Sequence, residues 1–200
     1  MDSSFYYQQP CIERETVQGI TGISLETNAF SQRRVFLFGE VNEQMLDSFT
    51  KQMLYLNEDQ NSPISIYINS PGGSVISGLA IYDQIQSCPC EVNMYCVGMA
   101  ASMGAIILAG GQKGKRFILP HSKVMIHEPL IDGGFGGSAS TIKSTAESIL
   151  KTKRLTNGIL AKHTGKTIEE IDKATDHDNF MTAKEAVEFG ICDEVVSALS

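Results

Sequence analysis

Apolar strand-like runs alternating with runs of helical spacing limit this chain to a small set of folds. Val35-Phe36-Leu37-Phe38, Ile64-Ser65-Ile66-Tyr67-Ile68 and Glu91-Val92-Asn93-Met94-Tyr95-Cys96-Val97 read as buried strands. Between them, Met45, Leu46, Phe49, Met53, Leu54 and Leu56 recur at helical spacing, and Val75, Ile76, Leu79, Ile81, Tyr82 and Ile85 carry a second helix. Asn42 is placed to cap the first of these helices. Such alternation implies an α/β fold, a largely parallel sheet with helices packed against it. With 200 residues and 42% hydrophobic content, the chain supports one domain with a sizeable core.

On either side of this alternation the pattern changes. Residues 1–32 are polar and aperiodic, broken by Gly19 and Gly22, and are expected to form a mobile arm with a short helix or turn near Leu25 to Phe30. From Arg116 onward, Arg116-Phe117-Ile118 and Lys123-Val124-Met125-Ile126 are short strands split by Pro120. Ile131 to Ser138 is a glycine-rich hinge or strand, and an amphipathic helix follows from about Ser140 to Lys162, with Ile142, Ala146, Ile149, Leu150 and Leu160 on one stripe. Apolar surface on so long a helix is best used against another subunit. Thr167 with Glu170, and Thr182 with Glu185, are capping boxes; the second helix closes at Gly190 before a last strand, Ile191 to Val196.

A formal charge of −7 argues against a nucleic-acid footprint, and no basic run suggests an anionic membrane. The five cysteines lack metal-site spacing, since Cys88-Pro89-Cys90 has no second pair. The start of the chain lacks the regions of a signal peptide and no apolar run approaches membrane-spanning length, so a cytoplasmic location is expected.

The chemistry gathers at Gly98-Met99-Ala100-Ala101-Ser102-Met103-Gly104-Ala105, where a strand hands over to a helix. A lone serine there is ordinarily a helix cap. As a nucleophile it needs a base, and the base needs a third group to hold its tautomer. Of four histidines, His127 ends a strand and leads into the glycine segment, His121 and His163 sit in loop-like polar settings, and His177 lies between two aspartates. Asp176 and Asp178 both precede the Phe180-Met181 strand, and spacing does not choose between them. Gly72-Gly73 gives a backbone that a substrate can approach closely. An N–H there, with that of Met103, would make a two-donor oxyanion hole, of which each donor is worth about 10²–10³ in rate.

Tyr67 to Gly73, Gly98 to Ala105, Lys113-Gly114-Lys115-Arg116-Phe117, Val124-Met125-Ile126-His127 and Phe180 to Ala186 together resemble the Clp protease proteolytic subunit, in the family's order, from about Arg33 to Val196. The resemblance implies a crotonase-like fold for residues 33–200, with a handle over about 131–164, assembled as two stacked heptameric rings around a closed chamber. It implies Ser102 as nucleophile, His127 as general base, Asp178 as orienting acid, and Gly73 and Met103 as oxyanion donors. An ATP-driven AAA+ unfoldase is the implied partner, unfolded polypeptide the substrate and protein quality control the setting, with no cofactor or metal. The chain departs from the family in its arm, in Ser87 where an aromatic residue is common, in Glu128 where glutamine is usual, and in two additional handle residues near Ile131-Asp132. His177 stands where an arginine pairs across the ring interface. A histidine loses its charge near neutrality whereas arginine keeps it. Ring–ring association is therefore expected to weaken as His177 loses its proton; sedimentation showing one assembly state from mildly acidic to mildly alkaline pH would count against this.

Two other functions fit parts of the pattern. One is a crotonase-type acyl-CoA enzyme, which holds an anionic oxygen with paired N–H groups but needs a basic nucleotide site that the sequence lacks. The other is a ring component with a structural or regulatory role beside a more active subunit; fluorophosphonate labelling of Ser102 separates it from a peptidase. Three further motifs are incomplete. His127-Glu128 has Ile131 where a zinc protease needs its second histidine, and Gly165-Lys166-Thr167 has Leu160 where a phosphate loop needs glycine. Ser102 has Ala100 where the hydrolase elbow has its first glycine.

Overall fold

A computed structural model describes residues 10–17, 19–130 and 136–199. The glycine-rich hinge or strand expected from Ile131 falls largely outside the described residues, as do the two additional handle residues. Part of the expected arm is regular: β1 (Cys11–Thr16) and β2 (Gly19–Ser24) form an antiparallel ribbon. It showed no apolar alternation because it is exposed along most of its length. The short helix expected next is α1 (Leu25–Ser31), capped by Ser24, whose hydroxyl accepts from the Thr27 N–H at 3.0 Å.

The alternating region follows as β3 (Arg34–Phe38), α2 (Glu43–Leu56), β4 (Ile64–Ser70), α3 (Val75–Ser87), β5 (Val92–Ala101) and α4 (Met103–Ala109). After it come β6 (Arg116–Ile118), β7 (Lys123–Ile126), α5 (Ala139–Thr164), α6 (Ile168–Ala174), β8 (Asn179–Thr182), α7 (Ala183–Phe189) and β9 (Glu194–Val195). Asn42 caps α2, accepting from the Met45 N–H at 2.9 Å. Both capping boxes form, and Gly165 and Gly190 close α5 and α7 at φ of 77° and 98°, where other residues would be strained.

The strands run β3-β4-β5-β6-β9, parallel throughout. β3 is an edge strand buried on one face only: Val35 and Leu37 are buried, whereas Phe36 and Phe38 are exposed. β5 forks. Met94 to Cys96 pair with β6, while Met99 to Ala101 pair with β7, which takes β8 antiparallel on its other side. Buried Ser122 bridges the fork: its hydroxyl accepts from the Gly98 N–H at 2.8 Å and donates to the Cys96 carbonyl at 3.2 Å.

Phe49, Met53 and Leu56 of α2, Ile81 and Ile85 of α3, and the whole of α4 share one core with Val35, Ile66, Met94 and Ile118 of the sheet. Phe36, Tyr67, Tyr95 and Phe117 are in register and stack across four strands at centroid spacings of 5.3, 5.2 and 5.0 Å. Each such pair adds about 0.5–1.5 kcal/mol beyond its buried area.

The end of the sheet opposite Ser102 is pinned by Arg116, a buried cation. Its Nε and Nη2 donate to the Asp193 carboxylate at 2.9 and 2.6 Å, and its Nη1 donates to the carbonyls of Ala109 and His163, each at 3.2 Å. Those carbonyls lie in the last turns of α4 and α5, where positive charge is favoured. His163, expected in a loop, is thus in a helix, 2.8 Å from the Tyr82 hydroxyl. Burial foremost, then the charges of Lys162 and Arg116, push its pKa down to about 4, so the ring is neutral at neutral pH.

The apolar stripe expected on α5 is only partly used. Thr156, Asn157, Ile159 and Leu160 are buried, whereas Ile142 and Leu150 are exposed. Only the C-terminal part of this helix reaches the domain's own core.

Candidate active site

β5 ends at Ala101 and α4 begins at Met103, so the whole change of direction falls on Ser102, at φ 53° and ψ −120°. An L-residue held there costs about 1–3 kcal/mol and persists only where its surroundings fix it. The Ser102 N–H donates to the Met125 carbonyl of β7 at 2.8 Å, and its carbonyl accepts from Ala105 and Ile106. The side chain makes no capping bond, which removes the helix-cap alternative. Its Oγ lies instead 2.8 Å from Nε2 of His127.

His127 follows the last residue of β7, its side chain only 14% exposed. Its Nδ1 lies 3.3 Å from Oδ1 of Asp178, yet the atom is buried with no aligned hydrogen bond. A buried ring nitrogen without a partner demands an explanation, and a carboxylate oxygen 3.3 Å away supplies it. Asp178 is therefore the aspartate in contact with His127, although its side chain is 60% exposed. His121 and His177 are exposed.

Gly72 and Gly73 lie beside this junction. The Gly72 carbonyl accepts from the Val41 N–H at 2.8 Å, and the Gly72 N–H donates to Oγ of Ser70 at 3.1 Å. The Gly73 and Met103 N–H groups donate to no other described residue. A Cβ on Gly72, which has φ of 95°, would stand 2.6 Å from Cβ of Ser102 and 2.8 Å from the Ala101 carbonyl. Only glycine lets the loop lie this close to the serine.

Two polar contacts near His127 carried no sequence signal. Lys153 of α5 donates to Glu128 at 2.6 Å; the same hydrogen bond, chiefly, raises the lysine's pKa. Buried Asn157, one helical turn later, donates to Asp172 and Thr175. In sequence, both look like ordinary polar positions on a helix.

A mostly parallel α/β sheet carrying an alcohol bonded to an imidazole, beside unengaged amide donors, has the parts required for acyl transfer. The family model described as Clp protease matches residues 18–198, and the chain belongs to that family. Membership implies peptidase activity and gives the mixed sheet its class, the Clp-type α/β fold. Among the described residues no helix is long and apolar enough to cross a membrane.

The Gly72 contact makes a sharp prediction. Gly72→Ala must displace Ser102 or the loop, and a displacement of about 1 Å costs about 10²-fold in rate. Peptide turnover by this variant should fall by that factor while its circular dichroism matches wild type; full activity would show that the loop yields freely.

Proposed function

We propose that the chain is the proteolytic subunit of an ATP-dependent Clp system, a serine endopeptidase that cleaves unfolded polypeptides within a double-ring chamber. The observation that carries this reading is the 2.8 Å contact between Ser102 Oγ and His127 Nε2 at a strained strand-to-helix junction. His127, its Nδ1–H turned to Asp178, takes the Ser102 proton as the oxygen attacks the peptide carbonyl. The Gly73 and Met103 N–H groups hold the developing oxyanion. His127 then passes the proton to the leaving amine, and water hydrolyses the acyl-enzyme by the same route. A loose acid–base contact in the resting state that tightens with substrate is common in such sites.

Ring assembly is part of the proposal. Ile142, Leu150 and Leu155 are exposed on α5, an apolar surface suited to another copy of the chain, and a separate AAA+ ATPase would unfold and deliver substrates in the cytoplasm. A second reading, a structural or regulatory ring component, draws on the exposure of Asp178 and its unaligned contact with His127. Treatment of the assembled protein with a fluorophosphonate tests the two. Covalent labelling at Ser102 is expected; an unlabelled serine in intact rings would overturn the peptidase reading and leave the second.

A further inference from the structure

Asp178 presents a mechanical problem. More than half of its side chain is exposed, so packing does not hold it against His127, and its position depends on the backbone on either side of it, the start of β8 and the turn after α6. That turn is anchored at Thr175, which is fully buried. The Thr175 carbonyl accepts from the Glu128 N–H at 2.8 Å, tying the turn to the residue after His127. The Thr175 hydroxyl donates to the Ile171 carbonyl at 2.9 Å and accepts from Nδ2 of Asn157 at 3.2 Å. The same nitrogen donates to Oδ1 of Asp172 at 2.6 Å. Asn157 is 1% exposed and belongs to α5, which is otherwise remote in sequence from the Ser102 junction.

We propose that Asn157 and Thr175 are positioning residues that hold Asp178 in reach of His127, so that the seating of α5 sets the alignment of acid and base. The proposal rests on the peptidase reading for its catalytic meaning, but its geometry stands apart from it. Lys153 adds a second point of attachment: one turn before Asn157 on the same helix face, it holds the Glu128 carboxylate at 2.6 Å. α5 therefore grips the strand end that carries the imidazole and the turn that carries the carboxylate. A shift of this helix would separate the two groups without touching either.

The hydroxyl can be removed with little change of shape. Thr175→Val keeps the volume but neither accepts from Asn157 nor donates to Ile171, whereas Thr175→Ser keeps both bonds. Loss of an orienting hydrogen bond behind a working group typically costs about 10–100-fold in activity. For a short fluorogenic peptide, Thr175→Val should lose that factor in kcat with KM within about twofold of wild type, and Thr175→Ser should stay close to wild type. Both are measured on rings of verified native mass. Crystal structures of the two variants report independently of turnover: in Thr175→Val the Asp178 carboxylate should stand out of hydrogen-bonding reach of His127 Nδ1, and in Thr175→Ser it should not. An unmoved Asp178 in Thr175→Val, or equal losses of kcat in both variants, would overturn the proposal. A displaced Asp178 in a protein that lacks peptidase activity altogether would uphold the positioning geometry and count only against the catalytic reading.

Discussion

Ser102→Ala is expected to abolish turnover of a short fluorogenic peptide, with kcat falling by about 10⁶-fold, and to leave the assembled mass unchanged. The size of the effect follows from the role: alanine offers no oxygen to attack, and the remaining groups only bind the substrate and polarise its carbonyl. The cost in stability is small, about 1 kcal/mol or less, because the hydroxyl caps no helix and, among the described residues, bonds only to His127. Alanine at φ 53° is as strained as serine. Ser102→Gly should therefore be equally inactive yet more stable than Ser102→Ala, since glycine accepts that conformation without penalty. Thermal melts of the two variants check the strain, and peptide assays check the chemistry. An alanine variant retaining a tenth of wild-type turnover would remove Ser102 from the reaction.

The largest effect on stability is expected far from the chemistry, at Arg116. Arg116→Met removes the partner of a part-buried carboxylate and strips the carbonyls of Ala109 and His163 of their donor. Breaking a buried pair from one side costs about 3–5 kcal/mol, chiefly because the other charge is left behind. Burial pushes the Asp193 carboxyl up, but the hydrogen bonds and charge of Arg116, with the N–H groups of Arg116 and Gly114, outweigh it and hold the group below its ordinary value. A carboxylate with a depressed folded pKa contributes stability that is complete above its unfolded pKa, about 3.9, and is lost as pH falls through the folded value. Wild type should accordingly weaken in acid more steeply than Arg116→Met does. Asp193→Asn added to Arg116→Met should recover part of the loss at neutral pH. The chain has no tryptophan, so urea titrations followed by circular dichroism are the suitable measurement. Equal midpoints for wild type and Arg116→Met would show that the far end of the sheet does not depend on this cation.

What was legible in the sequence was what repeats or punctuates. The strand–helix alternation from Val35 to Ala109, the cap at Asn42, both capping boxes and the closing Gly190 stand out because each depends on neighbours a few residues away. The ribbon at Cys11 to Ser24 did not stand out, because a two-stranded ribbon exposed on most sides needs no apolar alternation. β3 read as fully buried because Phe36 and Phe38 are as apolar as Val35 and Leu37; only its place at the edge of the sheet distinguishes the two faces. At the candidate site, Ser102 and His127 drew attention through strand ends and flanking glycines. The choice of Asp178 over Asp176 came from family resemblance, since both occupy one turn. Asn157 and Thr175 were invisible for a further reason: their burial arises from the docking of α5 on α6, a contact between helix faces that no local spacing encodes.

The fork in β5 has a consequence for how this protein tolerates change in length. β7 and β8 run antiparallel with Ile126 opposite Asn179, so the residues one step beyond are His127 and Asp178. Imidazole and carboxylate are thus neighbours by ladder register, and alternate residues along a strand face opposite ways. Deleting or inserting one residue inside either strand would turn one of them away from the other, even with every side chain retained. Such a change would be more damaging than most single substitutions there. Length variation in this lineage should accordingly collect in the connections outside the β7–β8 pair, and a designer grafting this site onto another scaffold must transplant the two strands as a single registered unit.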